Sequence, residues 1–168
     1  MASFSLLVIF PFLMGYAAAR DLLTMLIPNT VSIALVFAFL ALAATSNFGW
    51  QEVGYHFGAG VATLTLTFAL FTFGFIGGGD AKLAAATALW VGFDYLAEYL
   101  LIASVAGGAL TLALLLIRTY PLPAFAGRLP FALHLHDAKT GVPYGIALSA
   151  AALTVLPNTA LWSRTLVG

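Results

Sequence analysis

Long apolar runs, separated by short segments that carry a charge, a proline or a glycine, occupy most of this chain of 168 residues. Such runs constrain the fold, because a helix needs about 20 mainly apolar residues to cross the roughly 30 Å hydrocarbon core of a membrane. Only 7% of the residues are charged and 62% are hydrophobic, whereas about a quarter of the residues of a soluble domain are charged. The sequence therefore predicts an integral membrane protein.

Six such runs predict an all-α, polytopic protein with about six transmembrane helices, because lipid tolerates only backbone whose hydrogen bonds are closed within the protein. The predicted spans are residues 3–21, 30–46, 54–75, 80–93, 95–118 and 141–157. The fourth is short for a crossing, and its boundary with the fifth is placed near Asp94. Residues 119–140 contain three prolines, which a single helix does not accommodate. Within residues 119–140, residues 125–135 are predicted to form a helix on the membrane surface. The whole chain, residues 1–168, is expected to form a single domain.

The placement of basic residues predicts the orientation of the chain. Lysine and arginine in short loops are retained on the cytoplasmic side. With six spans, five of the six basic residues fall on one side, and they are Arg20, Lys82, Arg118, Arg128 and Lys139. Arg164 alone falls on the other. The active face is therefore predicted to be cytoplasmic, with both termini on the external side.

Composition also limits the partners and cofactors that we expect. A net charge of zero gives no basic surface for nucleic acid, so the lipid bilayer is the main predicted surrounding. The chain contains no cysteine, which removes disulfides, thiolate metal sites and a cysteine nucleophile. His134, His136 and Asp137 have no further strong ligand nearby in sequence. We expect no metal and no organic cofactor.

Two aspartates fall at the ends of predicted spans on the same face of the membrane. Asp21 closes the first span, and Asp80 opens the fourth, directly after Gly77, Gly78 and Gly79. Charged residues at membrane depth are costly and tend to mark function. Two neighbouring carboxyl groups in poorly solvated surroundings favour a state in which they share one proton. One can then take a proton from water while the other hydrogen-bonds a peptide carbonyl, which predicts an aspartic protease.

Each of these features also has a structural interpretation. Aspartate is favoured as a helix N-cap, and glycine before a helix is common loop chemistry. Three consecutive glycines additionally leave room for an extended substrate backbone beside Asp80. Lys82 is expected chiefly to anchor its helix at the interface, with tuning of the aspartate pair as the alternative. Ile27-Pro28-Asn29 predicts a helix end followed by a new helix start.

Three segments together resemble the type IV prepilin peptidase family, and its short Tad/CpaA-type branch that serves Flp-type pili is the closest likeness. They are Asp21 with Ile27-Pro28-Asn29, then Gly77-Gly78-Gly79-Asp80-Ala81-Lys82, then Val142-Pro143-Tyr144-Gly145. The resemblance implies an inner-membrane aspartic protease that removes the leader of prepilins or pseudopilins on the cytoplasmic side. It also implies that Asp21 and Asp80 are the catalytic pair.

The resemblance assigns further roles to the same segments. It implies that Gly77, Gly78, Gly79 and Lys82 support the aspartates, and that Pro28, Asn29, Pro143, Tyr144 and Gly145 belong to structural motifs near the site. Longer bacterial members carry a cysteine-containing insert and also methylate the new pilin N-terminus. Here a short segment joins the first two spans and cysteine is absent, so we expect no methyltransferase activity.

Two other classes of function are compatible with the same residues. A small transporter or channel would place Asp21, Asp80 and Lys82 in a polar pathway near a glycine-broken helix. A non-catalytic membrane subunit of a secretion system would use the charges only as anchors. Transport would give a flux without proteolysis, and a structural subunit would tolerate alanine at both aspartates.

Overall fold

The computed structural model describes residues 2–46, 48–123, 128–137 and 140–167, and these ranges contain helices and turns but no strand. The helices are α1 (Ala2–Thr24), α2 (Asn29–Thr45), α3 (Trp50–Thr72), α4 (Gly78–Arg118), α5 (Pro130–His136), α6 (Tyr144–Val155) and α7 (Ala160–Val167), with a 3₁₀ turn, Leu156–Asn158, between the last two. The predicted all-α class is confirmed.

The surface of the helices is suited to lipid. In the described ranges, α3 and α4 are long and apolar enough to cross a membrane, whereas α2 and residues Tyr144–Asn158 are apolar but shorter. The helices of full spanning length are therefore fewer than the six predicted. Large apolar side chains also point outward, for example Phe12, Phe37 and Leu101, which are 75%, 67% and 65% exposed. Extensive exposed apolar surface of this kind is unusual in a soluble monomer.

Helix α4 combines the fourth and fifth predicted spans around a kink. The break lies at Gly92, with φ 68° and ψ 178°, two residues before the predicted boundary at Asp94. Glycine adopts a positive φ at little cost because it has no Cβ. We call residues 78–91 the first arm of α4 and residues 93–118 its second arm.

The first arm lies antiparallel to α3. Near its start, the hydroxyl of Thr67 donates to the carbonyl of Ala81 at 3.3 Å. Near its end, Nδ1 of His56 lies 2.8 Å from the carbonyl oxygen of Leu89. That carbonyl lies in the last turn before the kink at Gly92, so His56 links α3 to the first arm close to the point where α4 bends.

The core surrounds Trp90, which is fully buried on the first arm. The rings of Phe10 and Phe39 lie 4.8 Å and 6.1 Å from its ring, and its indole N–H donates to the carbonyl of Leu35 at 3.0 Å. Most of the buried residues around it on the first arm are small, including Ala81, Ala84, Ala85, Ala86 and Ala88. Small residues let neighbouring helices approach closely. This packing fixes the start of α4, where Asp80 lies, relative to α1 and α2.

Arg118 holds the segment between α4 and α6 in place through hydrogen bonds. Its Nε donates to the carbonyl of Leu135 at 2.7 Å, and its Nη2 donates to the carbonyl of Gly141 at 3.0 Å. The helix predicted over residues 125–135 is observed as Pro130–His136, and residues 125–127 of that prediction lie outside the described residues. Arg118 thus positions the chain that enters α6, a role that its charge alone did not indicate.

Candidate active site

Asp21 is held at the end of α1. It lies in the last turn of that helix and is 5% exposed. The helix ends at Thr24, and Met25 then adopts a φ of 54°, a left-handed conformation that is uncommon for residues other than glycine. The chain passes through Pro28, which takes the N-cap position of α2. The predicted stop and restart around Ile27-Pro28-Asn29 is therefore observed.

Asp80 is the third residue of α4, and Gly77 is the N-cap. The interpretation of Asp80 as the N-cap itself is wrong, because the chain enters helical geometry earlier, at Gly78. From the third position a carboxyl group can reach back to the N-cap amide, and the amide of Gly77 does interact with Asp80. The other oxygen, Oδ1, is buried and has no hydrogen-bond partner among the described residues. A buried carboxyl oxygen without a partner is unusual outside functional sites.

Both aspartates line one cavity of about 630 Å³, and their carboxyl groups interact electrostatically. The other lining residues are Met25 after α1, the segment Gly74–Gly77 after α3, Thr111 of α4, and Gly141, Val142 and Tyr144 where the chain enters α6. Two carboxyl groups, backbone from two glycine-containing segments and several apolar side chains thus face the same space.

The three predicted motifs meet beside Asp21. The backbone N–H of Gly145 donates to Oδ2 of Asp21 at 2.6 Å. A Cβ at Gly145 would lie 2.7 Å from Cδ1 of Ile27 and 2.8 Å from the same Asp21 oxygen, and a Cβ at Gly79 would lie 3.2 Å from Cβ of Ile27. Ile27 is therefore packed between two glycines from distant parts of the sequence. A side chain at Gly145 would force Ile27 or Asp21 to move, whereas one at Gly79 would require Ile27 to shift by a few tenths of an ångström.

The remaining glycines of the triplet also approach their neighbours closely. A Cβ at Gly77 would lie 2.8 Å from Oδ2 of Asp80, and a Cβ at Gly78 would lie 3.3 Å from the ring of Phe71. Gly77 thus leaves room for the carboxyl group, while Gly78 leaves room for the packing of α3 against α4. The triplet serves the placement of Asp80 as well as the path of the chain.

Lys82 points away from the cavity. Its ammonium group is exposed and donates to Oδ1 of Asn29 at 2.9 Å. Both residues line a separate, mainly apolar groove between α2, α3 and the first arm of α4. The pair links the start of α2 to the start of α4, which favours the anchoring interpretation of Lys82. Pro143, like Pro28, occupies the N-cap position of a helix, here α6.

Tyr144 reaches the cavity by lying across a glycine of α4. A Cβ at Gly107 would lie 2.1–2.3 Å from the ring and hydroxyl of Tyr144, so any side chain there would displace it. One turn later, the hydroxyl of Thr111 donates to the carbonyl of Gly107 at 2.8 Å. Gly107, Thr111 and Met25 were not predicted from the sequence. The only available signal was the Gly107-Gly108 pair within an apolar run.

Metal ligands do not gather in the described part of the chain, where no three histidine, aspartate or glutamate side chains lie close enough to hold an ion. His134 and His136 lie on α5, and Asp137 follows it.

Comparison with known proteins identifies a family for most of the chain. The sequence model of the type IV leader peptidase family matches residues 8–112. No curated protein and no solved structure gives a significant match. The matched region contains Asp21 and Asp80 but ends before α6. The placement of Tyr144 and Gly145 at the site therefore depends on the geometry alone.

Proposed function

This chain belongs to the type IV leader peptidase family, and we propose that it is an aspartic endopeptidase whose catalytic pair is Asp21 and Asp80. The observation that supports the proposal most strongly is the shared cavity, which both carboxyl groups line and in which they interact. Family membership supports a peptidase activity, and the cavity contains two acidic groups that can act together on one peptide bond. Oδ1 of Asp80, which has no hydrogen-bond partner in the described part of the chain, is available to water or substrate.

The proposed reaction uses one proton shared by the two carboxyl groups. The ionised carboxylate takes a proton from water, and the water oxygen forms a bond to the carbonyl carbon of the substrate. The protonated carboxyl group hydrogen-bonds the carbonyl oxygen, which receives the electron pair of the carbonyl double bond. When the tetrahedral intermediate collapses, the peptide nitrogen accepts a proton from the pair and the C–N bond breaks. The products are a carboxylic acid and an amine, and the dyad regains its starting protonation.

The substrate that fits this site is a peptide bond next to an apolar helix. The Gly74–Gly77 segment lines the cavity, and both of these glycines are exposed. Exposed backbone of this kind can pair with an extended substrate, while the apolar helix of the substrate stays in lipid. We propose that the substrates are prepilins or pseudopilins of the Flp/Tad type, cut between a short basic leader and the pilin helix.

The proposed topology has six crossings, two of them made by the arms of α4. The first arm runs antiparallel to α3, and the second returns to the cavity, which Thr111 lines together with Asp80. The placement of lysine and arginine supports a cytoplasmic position for the cavity, and we propose that the protein lies in a bacterial inner membrane. Only residues 25–28 separate α1 from α2, which leaves no room there for a further domain. We therefore propose that the protein does not methylate its product.

A reconstitution experiment tests this function against transport. The purified protein in vesicles is mixed with an Flp-type prepilin, the products are mapped by mass spectrometry, and ion flux is recorded from the same vesicles. We expect a single cut immediately before the apolar helix, and no flux that depends on Asp80. Intact precursor together with an Asp80-dependent flux would establish a transporter instead. Intact precursor without flux would favour a structural subunit.

A further inference from the structure

The phenol of Tyr144 occupies a position at the cavity that the proposed reaction has not used. Tyr144 lines the cavity with both aspartates, is half-buried, and interacts electrostatically with Asp80. Its hydroxyl makes no hydrogen bond to any residue in the described ranges. A partly buried hydroxyl without a protein partner is available to a ligand.

Two contacts hold Tyr144 in this position. Its ring and hydroxyl lie against Gly107, where a Cβ would approach to 2.1–2.3 Å. The next residue, Gly145, donates its N–H to Asp21 at 2.6 Å. The hydroxyl of Tyr144 and the carboxyl group of Asp21 are therefore positioned by the same turn of chain at the start of α6. A group that is held before the substrate arrives needs little reorganisation during the reaction.

We propose that Tyr144 is a third catalytic residue, whose hydroxyl donates a hydrogen bond to the carbonyl oxygen of the scissile peptide bond, and that Gly107 is its positioning residue. This inference rests on the proposed function of the aspartate pair. As water adds to the carbonyl carbon, the electron pair of the C=O bond moves to oxygen, and the phenol O–H stabilises that developing charge. Tyr144 keeps its proton throughout, so the proton balance of the aspartate pair is unchanged.

The test measures kcat and KM for cleavage of a prepilin peptide by Tyr144→Phe, which keeps the ring and its packing on Gly107. Removal of one preorganised donor to an oxyanion typically lowers kcat by about 10²–10³-fold, and we expect a loss in this range with KM changed by less than about threefold. Tyr120→Phe, at an exposed tyrosine outside the cavity, is the control and should retain wild-type kcat. Unchanged kcat in Tyr144→Phe, or a change confined to KM, would overturn the catalytic role.

A double-mutant cycle tests the role assigned to Gly107. Gly107→Ala should lower kcat in the wild-type background by displacing the ring, but should lower it much less when Tyr144→Phe is already present. Gly108→Ala is the matched control, because a Cβ at this neighbouring glycine meets no atom of the described ranges within 4 Å. Equal losses in both backgrounds would show that Gly107 does not act through the hydroxyl, and would overturn its positioning role.

Asp80→Asn, measured in parallel, distinguishes a failure of the role proposed for Tyr144 from a failure of the aspartate mechanism. Loss of cleavage in Asp80→Asn with full kcat in Tyr144→Phe would reject the role of Tyr144 and leave the aspartate mechanism standing. Cleavage by Asp80→Asn at the wild-type rate would reject the aspartate mechanism, and with it the role of Tyr144. Thermal unfolding of each variant in detergent confirms that the comparison is made between folded proteins.

Discussion

The backbone N–H of Gly145 donates a 2.6 Å hydrogen bond to Oδ2 of Asp21, across 124 positions of sequence. Hydrogen bonds to an ionised acceptor are short and roughly twice as strong as neutral ones. The same glycine has no space for a Cβ beside Ile27 and Asp21. The start of α6 therefore positions Asp21 by direct contact, although it lies outside the part of the chain that matches the family.

Gly145→Ala should displace the carboxyl group of Asp21. Its Cβ would lie 2.8 Å from Oδ2 of Asp21 and 2.7 Å from Cδ1 of Ile27, so one of these groups must move. Overpacking of this kind costs about 1–3 kcal/mol of folding stability, and a misplacement of about 1 Å can cost about 100-fold in rate. We expect both losses, measured by thermal unfolding and by precursor cleavage. The control is Gly15→Ala, where a Cβ meets nothing within 4 Å in the part of the chain that the structure describes, and an equal loss there would contradict the explanation.

Gly77→Ala should impair activity more than stability. Gly77 has φ −72° and ψ 147°, which alanine adopts freely, so the backbone need not change. The added Cβ would nevertheless lie 2.8 Å from Oδ2 of Asp80 and would push that carboxyl group from its place. We expect cleavage to fall by at least about tenfold, because catalytic groups tolerate little displacement, with a change in unfolding free energy below about 1 kcal/mol.

Gly49→Ala is the matched control for this substitution. Gly49 is also an N-cap, of α3, with a similar backbone conformation of φ −66° and ψ 151°, and a Cβ there meets no described residue within 4 Å. If Gly49→Ala slowed cleavage as much as Gly77→Ala, the effect would come from the N-cap position and not from the contact with Asp80.

Lys82 is expected to act as a structural anchor. Its hydrogen bond to Asn29 is exposed, and because even an exposed ion pair contributes only about 0.2–1 kcal/mol, we expect this bond to a neutral amide to contribute no more than that. A double-mutant cycle of Lys82→Gln and Asn29→Ala should give a coupling free energy of unfolding in that range. Lys82→Gln should also keep the cleavage rate within about threefold of wild type, because the ammonium group lies outside the cavity. A loss of about 100-fold in cleavage with unchanged stability would instead support tuning of the aspartate pair.

Local pattern was sufficient to predict the helical class and the proximity of Asp21 and Asp80, which line one cavity. Apolar runs indicate the helices, and the parity of the predicted crossings predicts that Asp21 and Asp80 lie at the same face, without any knowledge of side-chain packing. The helix stop at Ile27-Pro28-Asn29 was equally visible, because proline limits the conformation of the residue before it. What these features share is that each depends on neighbouring residues in sequence.

The features that sequence did not predict depend on contacts between distant residues. The kink of α4 occurs at Gly92 and not at Asp94, and a Cβ at Gly92 would approach the ring of His56 to 3.0 Å. Likewise, Gly107 is required only because Tyr144 packs on it from another helix. A single sequence shows that a glycine is present but not which side chain fills the space that it leaves. The position of Asp80 within its helix was missed for a different, local reason. The glycines before it were interpreted as loop, so the helix start was predicted two residues late and Asp80 is the third residue and not the N-cap.

The central claim, that Asp21 and Asp80 act together on a peptide bond, is tested most directly by the rate at which single asparagine variants cleave a prepilin. General acid and base catalysis contributes about 10²–10⁴-fold, so Asp21→Asn and Asp80→Asn should each lose at least about 100-fold. Asp94→Asn, at an exposed acid bonded to Tyr55 and outside the cavity, should cleave at the wild-type rate. Cleavage within about threefold of wild type by either Asp21→Asn or Asp80→Asn, in a variant that is folded and inserted, would contradict the account.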